Sequence, residues 1–205
     1  MKNLIKGLAI VLLSIILVGC SSQKSELKSV EYIDINKFMG DWYVIANIPT
    51  FLEKDIFNAI EKYSLNSDGT ISTEFSFNKG SFEGERKAFN PRGFIKDKNT
   101  NALWGMQFIW PIKADFRVVY LSNDHSYTII GRNKRDYVWL MSRTPLMSES
   151  DYSDAISFIG EIGYDISKIV VVPQIWPDLC DARKKVKNSN HWGRRFWAHN
   201  WIHVE

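Results

Sequence analysis

The sequence predicts an all-β protein: an eight-stranded antiparallel up-and-down barrel, one C-terminal α-helix packed outside it, and a short ninth strand. Three observations predict it. Val, Ile, Thr, Tyr, Phe and Trp gather in short runs, as a pleated, half-buried surface demands. Clusters of Asn, Asp, Gly and Pro separate those runs at the spacing of an up-and-down barrel, so sequence neighbours can pair through short turns. One stretch, Ser148 to Gly163, carries helical periodicity instead. The 205 residues are 45% hydrophobic, enough for a single cored domain.

The chain opens with an export signal, residues 1–19. Lys2 and Lys6 form its positive start, Gly7 to Leu17 is an apolar run short for a spanning helix, and Gly19 is a small residue at a cleavage point. The run ends in Leu17-Val18-Gly19-Cys20, which resembles the lipobox of bacterial lipoproteins. That resemblance implies acylation of Cys20, and Ser21 after it implies the outer membrane in a cell that has one. Each buried methylene contributes about 0.8 kcal/mol, so several chains would hold the protein at a bilayer. The alternative is an ordinary signal peptide with a chance cysteine. Residues 20–34, rich in Ser and Lys up to Ser29, are expected to form a lipidated tether.

The barrel domain is expected over residues 35–176. Its strands are predicted at Asp41–Ile48, Ala59–Leu65, Thr70–Phe77, Glu83–Phe89, Ala102–Trp110, Phe116–Leu121, Tyr127–Gly131 and Tyr137–Ser142. Asn66-Ser67-Asp68-Gly69 and Asn123-Asp124-His125 supply turn chemistry between strands. Ser148 can cap the helix with Asp151 three residues on, and Tyr152, Ala155, Ile156, Ile159 and Ile162 form its apolar stripe before Gly163. Ile169 to Val172 then gives the ninth strand, ending at Pro173. Residues 177–205 form a basic, aromatic-rich extension whose structure the sequence leaves open, Trp192, Phe196, Trp197, Trp201 and Ile202 with Arg194 and Arg195 suiting either an interfacial segment or a disordered extension.

Gly40-Asp41-Trp42-Tyr43 opens the first strand, and Arg135-Asp136-Tyr137-Val138-Trp139-Leu140-Met141-Ser142-Arg143-Thr144-Pro145 closes the eighth. Together these resemble the lipocalin family, and the second resembles in particular the bacterial lipocalin and apolipoprotein D subgroup. Phe89-Asn90-Pro91-Arg92-Gly93 fits between them, and the match covers about Ile35 to Gln174. The family's middle signature survives only as Asp124 and Tyr127 in altered spacing. Reversal of direction at each strand brings Trp42 and Arg143 to the same end of the barrel. A guanidinium over a tryptophan face there contributes about 1 to 2 kcal/mol when shielded, and Gly40 leaves room for the chain to enter. This trio is read as structural.

An eight-stranded barrel can hold one small ligand. Strict alternation from Trp42 turns Val44 and Ala46 inward, and alternation back from Arg143 turns Met141, Trp139 and Tyr137 inward. The more apolar face of the other strands adds Phe75 and Phe77, then Trp104, Met106 and Phe108, then Phe116, Val118 and Tyr120. This set describes an aromatic cavity almost free of charge. Loops at the opposite end from Trp42 offer Phe51, Leu52 and Trp110, with Lys113, Arg132, Lys134 and Arg135 as a basic rim for a head group. The resemblance implies storage or transport of fatty acids or lysophospholipids in the cell envelope, with the membrane as partner through acylated Cys20.

Other classes find less support. G-x-S-x-G, H-E-x-x-H, the P-loop and Cys-x-x-Cys are all missing from the sequence, so no catalytic residue, metal site or cofactor is expected. Cys20 and Cys180 are the only cysteines. If the first carries lipid, the second has no intramolecular partner. From Cys20 to Cys180 there are 18 Lys and Arg against 21 Asp and Glu, whereas Asp181 to Glu205 holds six against two. The basic character therefore lies in the tail, and nucleic acid is not an expected partner. His191, His199 and His203 lack the carboxylate or cysteine that would make metal ligation specific. The rival readings are an envelope lipoprotein whose barrel is solid, and a lipocalin-fold enzyme. The sequence leaves the oligomeric state open.

Overall fold

The computed structural model describes residues 25–176. They run through α1 (Ile35–Phe38), β1 (Gly40–Ile48), β2 (Ile56–Leu65), β3 (Ile71–Lys79), β4 (Arg86–Phe89), β5 (Arg92–Ile95), β6 (Leu103–Ile109), β7 (Ile112–Leu121), β8 (Tyr127–Gly131), β9 (Val138–Ser142), α2 (Glu149–Glu161), a 3₁₀ turn at Ile166–Lys168 and β10 (Val170–Val171). Cys20, Cys180, the three tail histidines and the aromatic tail lie outside the described residues.

The strands pair in chain order, β1-β2-β3-β5-β6-β7-β8-β9, every pair antiparallel. β1 then pairs with β9, Tyr43 opposite Ser142 and Ile48 opposite Val138, which closes the barrel. The fourth of its eight staves is broken into two strands. β4 pairs with β3 at Phe75–Asn78 and β5 at Ile71–Ser72, with Asn90-Pro91 between them. Proline has no N–H to give a ladder and so marks the break. β10 takes the part of the β1 edge, at Ala46 and Asn47, that lies beyond the β2 pairing.

Two apolar layers result. One fills the barrel around Trp42, Tyr63, Trp104 and Phe116. The other lies between the barrel wall and α2, where Ala155 and Ile159 meet Ile45, Ile48, Val119, Ile129 and Leu140. Ser148 starts α2 as expected, its side chain accepting the Asp151 N–H at 3.1 Å. Arg135 ends it, donating Nε–H to the Ile162 carbonyl at 2.7 Å.

Two features depart from the sequence reading. Part of the expected tether belongs to the body, because Leu27 and Ile33 are buried. Leu27 N–H donates to Asn133 Oδ1, Val30 N–H to the Val118 carbonyl and Ile33 N–H to the Thr100 carbonyl. Residues 25–33 thus run along β7 from the end of the barrel that holds Asn133 to the opposite end. The second is α1, which the apolar periodicity of four residues is too short to signal. Asp34 caps it by accepting the N–H groups of Asn36 and Lys37.

Candidate ligand-binding cavity

The floor of the barrel is built first. α1 places Phe38, fully buried, with its ring 5.1 Å from Trp42, 5.8 Å from Tyr63 and 5.5 Å from Trp104. Trp42 Nε1–H donates to the Phe38 carbonyl at 2.9 Å. Arg143 follows β9 and lies with its guanidinium carbon 3.6 Å from the Trp42 ring centroid. It also donates Nη1–H to the Asp41 carbonyl at 2.8 Å, and Nη2–H to the Lys37 and Phe38 carbonyls at 2.7 and 3.1 Å. Burial pulls its pKa down to about 10 while Asp41 opposes, so the group stays charged at neutral pH. Gly40 has φ +95°, a conformation that L side chains rarely adopt. Space is not the reason, since an added Cβ would only touch Arg143 Nη1 at 3.5 Å.

Above that floor is a cavity of about 320 Å³, at the small end of ligand sites. Phe75, Met106, Phe116, Ile130, Trp139 and Met141 form its walls, and Thr50 to Glu53, Phe108, Ile109, Arg132 and Tyr137 stand toward the open end. Of the expected lining, Phe75, Met106, Phe108, Trp139 and Met141 are brought together here. Trp104 and Phe77 are buried in the packed core without lining the space. Trp104 stacks on Phe116 with ring centroids 5.0 Å apart.

Ala46 and Tyr120 are corrections. The β1–β9 register shifts between Val44 and Ala46, and the β7–β8 register between Val118 and Tyr120. Each bulge inserts a residue and reverses the alternation beyond it. Ala46 therefore packs in the layer under α2. Tyr120 lies there too, stacked on Tyr127 at 5.2 Å and against Phe158 at 5.3 Å.

The basic rim is also corrected, since of its four residues Arg132 alone lines the cavity, and its Nη1 pairs with Asp136 Oδ2 at 3.3 Å. Lys113 is exposed and rests its Nζ 3.5 Å from the Phe94 ring centroid. Lys134 is exposed on the turn, and Arg135 is turned to α2 and to the Ser25 carbonyl. Long cations on mouth loops reach nearby carbonyls, rings and carboxylates in preference to the opening.

The cavity is not free of charge, as the apolar alternation suggested. Glu53 is buried, accepting Trp139 Nε1–H at 2.6 Å and Thr50 N–H at 2.8 Å. Burial raises its pKa, and these hydrogen bonds moderate the rise. Glu61 stands opposite Trp42 on one side and Phe75 on the other, near the floor. Burial, then the charge of Glu53, push it up to about 8, and Tyr63 nearby lowers it somewhat without reaching hydrogen-bond geometry. The signal in the sequence was the alternation Ala59, Glu61, Tyr63. Pairing the second strand with Trp42 would have exposed it.

A pH dependence follows from Glu61. Between about 4.5, its ordinary value, and about 8, the unfolded chain has released this proton while the folded chain keeps it. Folding stability should then fall as pH rises through that window, by less than about 1.4 kcal/mol per pH unit for the one group. Glu61→Gln should flatten the fall in urea midpoint from pH 5 to pH 8, leaving only the same-signed share of Glu53. Identical slopes in parent and variant would mean that Glu61 titrates as an ordinary carboxylate.

Comparison with known proteins agrees with this geometry. A family model described as a lipocalin-like domain matches residues 33–174. Temperature-induced lipocalin-1 of Arabidopsis thaliana is 32% identical over 165 residues, 75% of this chain and 86% of that protein. The outer membrane lipoprotein Blc of Vibrio cholerae is 26% identical over 172 residues, 82% and 99% of the two chains. Among solved structures, insecticyanin of the tobacco hornworm Manduca sexta superposes with TM-score 0.59 at 16% identity, covering 76% of this chain and 87% of its own. That last likeness bears on the fold alone.

Proposed function

Because the chain belongs to the lipocalin family, we propose that it is a membrane-anchored carrier or store of fatty acids, lysophospholipids or similar elongated apolar molecules, which it binds without altering them. The observation that carries this reading is an apolar cavity standing over a plugged floor and open at one end. Family membership favours binding over catalysis. Likeness to the outer membrane lipoprotein Blc supports acylation of Cys20 and placement at the outer membrane, or at the cell membrane of a host with only one.

The open end has a further property. Phe51, Ile109, Trp110 and Ile112 are 78%, 72%, 82% and 68% exposed, Phe51 on the β1–β2 connection and the other three at the β6–β7 turn and the strand ends it joins, beside the opening. Ser25, the first described residue, accepts a hydrogen bond from Arg135 at the same end. Four residues, 21–24, then separate an anchor at Cys20 from Ser25, five backbone steps with a reach of at most about 18 Å. Exposed aromatic and aliphatic side chains at an opening suit the bilayer interface. In this reading the carrier is tethered mouth first and exchanges ligand with the membrane directly.

Titration of fatty acids and of matched n-alcohols by tryptophan fluorescence tests the cavity. Affinity should climb with chain length at about 25 cal/mol per Å² of apolar surface buried, then level off when the space is filled. Arg132→Ala should weaken the acids more than the alcohols, by a factor that shrinks with salt. Absence of binding by either series would favour the solid-barrel reading, and equal loss for both would remove Arg132 as a head-group contact.

A further inference from the structure

The base of the cavity is an unusual place for what it contains. β2 turns Ala59, Glu61 and Tyr63 to the interior, and β3 turns Ile71, Thr73 and Phe75 to it. Tyr63 and Thr73 face each other across the ladder, and Glu61 faces Phe75 one step above. Glu61 Oε2, Tyr63 Oη and Thr73 Oγ1 are all buried and none makes a hydrogen bond of normal geometry, although Glu61 and Tyr63 stand near enough to shift each other's titration. Glu61 and Tyr63 line the cavity itself. Three orphaned oxygens on two successive inward rungs, beneath a shaft of Phe75, Met106, Phe116 and Met141, are costly unless something polar reaches them.

We propose that the base of the cavity is a polar subsite, formed by Glu61 and Tyr63 with Thr73 behind them, which takes a hydroxyl carried at the buried end of an elongated apolar ligand. This rests on the carrier reading above and names the ligand class more narrowly: an ω-hydroxylated acyl chain, its other end at the mouth. A hydroxyl both donates and accepts, so one group can satisfy a carboxyl oxygen and a phenol together. A terminal methyl would leave both unmet. A carboxylate or an ammonium at this end would have to give up its water for a base walled by Phe75, Met106 and Phe116, which costs far more than burying a neutral hydroxyl that finds two oxygen partners there.

The test compares saturated fatty acids with their ω-hydroxy counterparts, from ten to eighteen carbons, on the intact protein by calorimetry. Head group and mouth contacts are the same within each pair, so the difference reads only the buried end. The ω-hydroxy acid should bind about three- to tenfold tighter at the length that spans the shaft, and lose that advantage when shorter or longer. Tyr63→Phe removes one oxygen from the aromatic cluster and should cut the advantage, and Glu61→Leu should reverse it in favour of the plain acid. Glu61→Gln, which keeps a hydrogen-bonding amide, should retain most of it. A plain acid that binds as well as or better than its ω-hydroxy partner at every length would overturn the subsite, leave the carrier reading standing, and assign the orphaned oxygens to water alone. Failure of both series to bind would overturn the two readings together.

Discussion

Trp42→Ala should destabilise the fold by about 3 to 5 kcal/mol, the largest loss expected from a single substitution in the barrel floor. Its indole is fully buried, and deletion of a buried tryptophan removes transfer energy and leaves a cavity that a β-barrel floor cannot collapse to fill. Arg143→Ala should cost about 2 to 3 kcal/mol, since it strips three backbone carbonyls of charge-assisted donors as well as removing the stack. The two side chains share one contact at 3.6 Å, so the double variant should lose less than the sum of the singles. Arg143→Lys keeps the charge but not the planar fork that bridges α1 and β1, and should recover less than half of the loss. Urea unfolding of the parent and the four variants measures this. Simple additivity would mean that the stack contributes nothing beyond each residue's own packing.

Cys20→Ser should move the protein from the membrane fraction to the soluble fraction. The effect is close to all or none, because the described residues contain no helix long and apolar enough to cross a membrane, and a single acyl chain already gives only marginal, reversible binding. Among the described residues, the exposed apolar mouth would then be the remaining attraction. Trp110→Ser combined with Ile112→Ser in the Cys20→Ser background should abolish residual association with phospholipid vesicles, without altering the unfolding midpoint, because both side chains already stand in solvent. Full membrane retention of Cys20→Ser alone would remove the lipid anchor. Undiminished vesicle binding by the triple variant would remove the mouth-first orientation.

The order of elements, the closure of the barrel and the meeting of Trp42 with Arg143 were legible in the sequence, because each depends on features that are local or on counting reversals. Turn clusters mark strand ends, β-branched runs mark strands, and the stripe with a Ser148 cap marks the helix. The expected strand at Glu83–Phe89 shows the limit of such signals: Pro91 breaks the stave, and only the ladder reveals that β5 resumes it.

The contents of the cavity were legible only in part. Trp139 and Met141 follow from alternation because no bulge in β9 intervenes between them and Arg143, which set the phase, and Phe75 and Met106 because the more apolar face of their strands is the inner one. Ala46 and Tyr120 fail because one inserted residue reverses every side chain after it, and an insertion is a property of two strands meeting, invisible in either alone. The rim fails for a different reason: a flexible cation takes the nearest acceptor, as Arg135 does at the end of α2, and which acceptor is nearest is set by packing. Glu61 is the sharpest case. Its own strand reads as an ordinary half-polar alternation, and only the β1–β2 register puts that carboxyl against Trp42, inside the barrel. Sequence by itself determined the family, the fold and the plugged floor, since short-range propensity and chain reversal suffice for those. Tertiary structure decided which groups face the cavity, because facing depends on register between strands that no single strand encodes.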